Sequence, residues 1–496
     1  MRDKTRFVVP ALLALSLAAG ASAQTLRAGV AAQPETLDPQ TTSATSSFQT
    51  SHSIYDGLVR VDPDGEIVPL IASDWDISDD GLTWTFTLNG GITFHNGDTL
   101  TSADVAATFE RILDPDLASP KVDEFETISS ISTPDDHTVV FELSESTPSL
   151  IAAFASGWGA ILPAGLIEAD HDFGNDPVGS GPFAFKRWVR DSSLELETFP
   201  DYFRGAAEID GVTLTFVSDS SIQLQGLLSG EFDVIDQPAT ADLESIEANP
   251  DLTLNSFASG LVNVAAMNTR REPFDDKRVR QALNLAVDKE TVMGVAYGSG
   301  FLTGSFMEFG SPWLPDDLEP WPYDPEQAQE LLAEAGYPDG FSFTLTLPQL
   351  YDAHILAGQI VQSQLAEIGV NAEIDIVEWG VWLNEIYGGD RDYDMTLVGH
   401  TGKLDPIGRL SGYEDDSNYV GFTTDRLGEL LDLAAVEADL EEREALYAEA
   451  LWILHDEAPW IFLGTPYVRA TTKANVEGFW LTPLLDTFNF YDVVIN

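Results

Sequence analysis

The sequence predicts an α/β fold with more than one core, and three observations carry that prediction. The chain has 496 residues, enough for two or three domain-sized cores. Segments of period two alternate with segments of period 3.6 along much of its length. In the stretch 263–293, Val264, Ala266 and Asn268 alternate with Ala265 and Met267, and then Val279, Ala282, Leu283, Ala286 and Val287 line one helical face.

Taken in order, the chain opens with Arg2, Lys4 and Arg6, an apolar run from Phe7 to Ala19, and Ala21-Ser22-Ala23. A basic start, a short apolar stretch and small residues at −3 and −1 describe a cleavable secretory signal over 1–23, with the mature chain starting near Gln24. The apolar run is too short to span a bilayer. A first strand is expected at Thr25–Val30, and a hairpin turn at Asp62-Pro-Asp-Gly65. Strands follow at Thr83–Leu88 and Ile92–His95, with turns at Asn89-Gly90 and Asn96-Gly97. A helix capped by Thr101 or Ser102 carries Val105, Phe109 and Ile112.

Gly179-Ser180-Gly181 suggests a phosphate loop only superficially. No lysine follows at the required spacing and no helix opens there, so a tight turn is expected. A strand at 212–217 and a helix at 219–228 come next. After Pro273, Asp275 or Asp276 caps the helix that carries Val279, Ala282 and Leu283. Pro325 starts a further helix and Gly336 stops it. Strand 341–347, helix 352–368 and strand 370–377 form a βαβ unit. A helix at 380–387, a strand at 393–398 and helices at 425–437 and 440–455 complete the second half.

Composition limits the function. There is no cysteine, which excludes disulfides, thiol chemistry, Cys-ligated metal and a lipid-anchored N-terminal cysteine. The net charge is −58; without residues 1–23 there remain 21 Lys+Arg against 81 Asp+Glu, or −60. Such a field repels nucleic acid and anionic lipid and suits a surface adapted to salt. The seven histidines (52, 95, 137, 171, 354, 400, 455) form no metal-ligand spacing, and no G-x-S-x-G elbow is present. With so many carboxylates, a pair resembling a glycosidase dyad carries no weight. No catalytic residues, metal or cofactor are expected.

Several blocks bear a family likeness. PFDDKRVRQALNLAVDKETV (273–292), the W-x-x-S-x-D-G-type block at 75–105, Val178-Gly-Ser-Gly-Pro-Phe183, Gly230-Glu-Phe-Asp-Val234 and Tyr323-Asp-Pro-Glu326 through Gly336-Tyr-Pro338 resemble, in order, the signatures of the peptide/nickel-type (family 5) extracytoplasmic solute-binding proteins of ABC importers. The resemblance implies a two-lobed periplasmic-binding-protein-like fold of type II, with the extra subdomain of the peptide-binding cluster. Lobe I would comprise 24–57, 178–268 and 474–496, its extra subdomain 58–177, and lobe II 269–473. It also implies a periplasmic monomer that is no enzyme and that hands a peptide or peptide-like solute to ABC permease subunits.

Site residues follow from two further blocks. Val377-Glu-Trp-Gly-Val-Trp-Leu383 resembles the family's E-W-x-x-[YW]-L, and Met395 to Pro406 resembles its strand ending in G-W-T-G-D-x-x-D-P. The likeness places Trp379, Gly399, His400, Thr401, Gly402, Lys403 and Asp405 at the inter-lobe cleft, with Trp382 as core. It adds Tyr351 from lobe II and Thr42, Ser43 and Ala44 from lobe I. Two departures bear on the ligand. Lys403 stands where dipeptide binders place an aspartate for the ammonium, and Gln349 stands near their carboxylate-clamping arginine. These departures admit a non-peptide solute (sugar, opine-like or anionic compound). Outside the class, a secreted hydrolase or a chaperone-like or sensory protein remains open.

Overall fold

The computed structural model describes residues 24–63, 65–236, 238–349, 352–482 and 487–496. The expected signal over 1–23, Tyr351 and one residue of the turn at 62–65 lie outside them. The fold is a mixed α/β structure of two lobes. Its main sheet runs in the order 371–377, 342–348, 395–400, 262–267, 460–473, 234–236, 25–30, 211–216, 193–198 and 183–189. Strand Trp460–Lys473 joins the halves. Its first residues pair with 262–267, and its last pair with 234–236 and 252–258. Between them Gly464 adopts φ +151°, and a Cβ there would stand 2.4 Å from the Phe301 carbonyl oxygen, so only glycine fits the bend.

Period two fixes the centre of the second half. Strand Val262–Met267 is buried on both faces. Ala265 and Met267 join the core beneath helix Lys277–Ala286, whereas Val262, Val264 and Ala266 join the core beneath helices Asp425–Val436 and Leu440–Glu457. Asp276 caps helix 277–286 by accepting from the Arg278 N–H at 2.8 Å, which decides between the two expected caps. The βαβ unit forms with strands 342–348 and 371–377 parallel. The hairpin strands 59–61 and 67–69 also pair as expected.

A separate antiparallel sheet, in the order 72–77, 83–88, 138–143 and 128–135, covers its own aromatic core of Phe86, Phe109, Phe141 and Phe154. Two expectations need correction. Ile92–His95 makes no strand, because the Asn96-Gly97 turn folds back at once: the Gly97 N–H donates to the Phe94 carbonyl at 2.9 Å, leaving one bridge between Thr93 and Thr99. The segment 380–387 is not a regular α-helix either. One turn at Trp379–Val381 widens into a π-helix at Trp382–Tyr387, which brings Tyr387, five residues on, over the Trp382 ring at 5.6 Å. The turn at 179–181 is tight and glycine-dependent: a Cβ on Gly179 would lie 2.2 Å from the Ile54 carbonyl oxygen. Among the described residues no helix is long and apolar enough to cross a membrane.

Candidate functional site

The site is assembled from a strand end and two distant loops. Strand Met395–His400 ends beside the junction of the halves and releases the segment 401–405. Opposite stand residues 43–48, where a loop enters the helix Thr45–Ser51, and segments 121–124 and 149–158 of the small antiparallel unit. Together they enclose a cavity of about 340 Å³. One wall carries Thr401, Gly402, Lys403, Asp405 and Gly408; the other carries Ser43, Lys121, Glu124, Ser156 and Trp158. A second cavity of about 230 Å³ lies beyond Lys403 and Leu404, which line both.

The loop wall is held firmly. Trp158 Nε1–H donates to the Thr42 carbonyl at 2.8 Å, and its ring meets Phe48 edge-on at 5.0 Å. Gly157 permits this contact, since a Cβ there would stand 2.1 Å from the Phe48 ring. Thr42 is buried, its hydroxyl donating to Glu35 and accepting from the Ala44 N–H, so it shapes the loop that exposes Ser43. Lys121 pairs with Glu124 at 3.2 Å and lies 5.4 Å from the centre of the Trp158 ring.

The strand-end wall divides sharply between committed and uncommitted groups. Asp405 is buried, with both oxygens taken by Arg443 at 2.7 and 2.9 Å, and it also caps the turn by accepting from the Ile407 N–H. Its carboxylate is therefore a brace for the loop and offers no charge to a solute. Arg409 is likewise committed through its terminal nitrogens, donating to the Phe306, Gly260 and Thr401 carbonyls and pairing with Glu308 at 3.1 Å, while its Nε has no partner among the described residues. Gly399 has a packing reason to be glycine: a Cβ would lie 2.7 Å from Asn263 Oδ1.

His400 lies beside Phe306, Tyr387 and Tyr419, with Nε2 2.8 Å from the Tyr419 hydroxyl. Burial pushes its pKa down to about 3, helped by the positive charge of Arg409, so the ring is neutral at ordinary pH. Trp379 stacks on Trp382 at 5.1 Å with the rings nearly parallel. Trp382 is buried, and its Nε1–H donates to Thr396 Oγ1 at 2.8 Å.

Of the residues expected at the site, the larger cavity thus gathers Ser43, Thr401, Gly402, Lys403 and Asp405. Thr42, Ala44, Gly399, His400 and Trp379 stand behind it or along the aromatic row Trp379–Trp382–Tyr387. Sequence reasoning missed Lys121, Glu124 and Trp158. Lysine scarcity was the available signal for the first, and the Gly-Trp-Gly spelling at 157–159 for the last. Among the described residues no cluster of three metal-ligating side chains occurs.

Comparison with known proteins decides the family. The profile of the bacterial extracellular solute-binding proteins, family 5, matches residues 66–419. This chain belongs to that family. Di/tripeptide-binding protein 2 of Pseudomonas aeruginosa is 31% identical, over 95% of this chain and 96% of its own. Glutathione-binding protein GsiB of Pectobacterium atrosepticum is 30% identical, over 92% of this chain and 91% of its own. Among solved structures, HbpA2 from Haemophilus parasuis superposes with a TM-score of 0.86 at 25% identity, covering 95% of this chain and all of that one. The family's two-lobed fold therefore accounts for a cavity that no single core of this chain could enclose.

Proposed function

We propose that this protein is the solute-capturing component of an ABC importer, which grips a peptide or peptide-like solute between its lobes and delivers it unchanged to membrane permease subunits. The cavity between the segment 401–405 and the segments 43–48, 121–124 and 149–158 carries this reading, because it is walled by both halves. Its volume suits a small solute of di- or tripeptide size. The similarity to di/tripeptide- and glutathione-binding proteins over nearly the whole chain supports the same class.

The contacts in this reading are Ser43, Thr401, Gly402 and Lys403, with Lys121, Glu124 and Trp158 from the facing wall. Thr42, Ala44, Gly399, His400, Trp379 and Asp405 shape the walls, and the family likeness adds Tyr351 as a contact. In this reading lobe I comprises 24–57, 178–268 and 474–496 with the subdomain 58–177, and lobe II comprises 269–473. The protein works as a periplasmic monomer after removal of residues 1–23, and its acidic surface fits a saline milieu. Closure about the crossings near Gly464 and residues 259–261 excludes water and strengthens each polar contact.

Native mass spectrometry of the protein as isolated, followed by calorimetric titration with di- and tripeptides and glutathione, tests this reading. A retained or titrated peptide-like mass, recovered chemically intact, is expected. Conversion of any added compound, or failure to bind the whole panel, would overturn it.

A further inference from the structure

Lysine is rare in this chain: seven residues against 82 acids, six of them among the described residues. Five of those six have partners. Lys121 pairs with Glu124, Lys186 with Glu195, Lys277 with Asp456 and Glu457, and Lys473 with Asp233, while Lys289 is buried and donates to the Asn284 and Val287 carbonyls. Lys403 stands apart: among the described residues, no carboxylate or carbonyl is hydrogen-bonded or ion-paired to its Nζ. In a protein so rich in acids, a partly buried ammonium with no ion-pair or hydrogen-bond partner among the described residues is the exception that asks for a reason.

The surroundings sharpen the point. The stem of Lys403 lies against Gly408, where a Cβ would come within 3.3 Å of the lysine Cδ, so the loop leaves a track for this side chain. Asp405, two residues on, cannot reach back, because Arg443 holds both of its oxygens. Across the cavity Lys121 carries a second positive charge, offset by Glu124, and Arg409 adds a third behind the wall, itself offset by Glu308. Lys121 and Arg409 depress the Lys403 pKa further after burial has lowered it, and Glu124 and Asp123 act against them. Asp405 also lines the cavity, but Arg443 cancels its charge from behind the wall, so Lys403 and Lys121 against Glu124 leave an excess of one positive charge there inside a strongly negative protein.

Resting on the capture reading above, we infer that a carboxylate of the solute docks on Lys403 Nζ, with Lys121 on the facing wall adding its field, so that the site selects solutes presenting an acid group at this point. The carboxylate has two possible sources, the C-terminus of a peptide or an acidic side chain.

Calorimetric titration of solute-stripped protein with Ala-Gln, Ala-Glu and Ala-Gln amide separates them. If the C-terminus docks, the wild type loses about tenfold or more in affinity from Ala-Gln to its amide. If a side chain docks, it gains about tenfold from Ala-Gln to Ala-Glu; tenfold is the scale of one charge-assisted hydrogen bond. In either case Lys403→Met erases the difference and Lys403→Arg preserves it. A wild type that shows neither difference, or a Lys403→Met protein that keeps the one seen, overturns the carboxylate dock and leaves peptide capture standing. A wild type that binds none of the three peptides overturns the carboxylate dock, and one that also fails the wider panel of di- and tripeptides and glutathione overturns the capture reading as well.

Discussion

Lys403 and Asp405 are two residues apart on one loop, yet the protein treats their charges in opposite ways. Asp405 is sealed against Arg443, whose Nε–H also bonds the Ala434 carbonyl and whose guanidinium lies 5.2 Å from the ring centres of Trp313 and Tyr447. Lys403 faces an open cavity with no such partner. The contrast teaches how a strongly acidic chain can build a positive site. Charges that serve the fold are neutralised pairwise inside it, and a charge meant for the solute is left over.

The largest way to break that comparison is Asp405→Ala. The side chains of Asp405 and Arg443 are only 7% and 4% exposed, so the substitution strands a buried guanidinium. Removing one partner of such a pair costs about 3–5 kcal/mol. Urea unfolding is expected to show that loss in the solute-free protein. A loss below about 1 kcal/mol would mean that water reaches Arg443 and that the brace is not internal.

Reading the sequence reached much of this loop and little of what faces it. The strand–helix order and a cap at Asp275 or Asp276 were legible, because spacing and capping are local, whereas segment 401–405 was singled out only by the family likeness. The brace was not. Arg443 lies 38 residues beyond Asp405 on a helix that reads simply as amphipathic, and nothing in its spelling names a partner. The facing wall was hidden for the same reason: Lys121 and Trp158 come from a unit some 250 residues earlier. Strand Trp460–Lys473 escaped notice because Gly464 and Pro466 punctuate it, although that bend is what lets it serve both lobes. Ile92–His95 was over-read as a strand, since alternation over four residues cannot outweigh a turn that closes immediately.

A smaller effect sharpens the comparison from the neighbouring strand end. His400 has a folded pKa near 3 because burial disfavours its charged form, against an ordinary value of 6.5. The unfolded chain therefore binds a proton that the folded chain refuses, and stability falls as pH drops from 6.5 towards 3. His95 and His354, each pushed down to about 4 by burial, act in the same direction. Asp56 and Asp236, pushed up by burial to about 7 and about 6, act against it, because the folded state keeps their protons over part of the same range. His400→Gln removes one histidine from the balance. Its stability between pH 6.5 and 4 should decline less steeply than the wild type's, by about 1.4 kcal/mol at one unit below the ordinary histidine pKa. Parallel curves would show that His400 titrates normally and stands open to solvent.

The smallest expected effect returns to Lys403. Among the described residues its ammonium has no hydrogen-bond or ion-pair partner, so Lys403→Met removes no bond that the described fold uses, and the methionine can follow the same track along Gly408. Unfolding free energy should stay within about 0.5 kcal/mol of the wild type, as for surface substitutions away from any special feature. A rise would have its own cause: relief first of the burial of the ammonium and then of repulsion from Lys121 and Arg409, of which added salt should diminish the second in the wild type by screening. Lys121→Met provides the counterweight, because it also breaks the pair with Glu124 and should lose the few tenths of a kcal/mol typical of an exposed ion pair. If Lys403→Met instead cost as much as Asp405→Ala, the lysine would be holding the loop together, and the division between charges kept for the fold and a charge held out to the solute would fail.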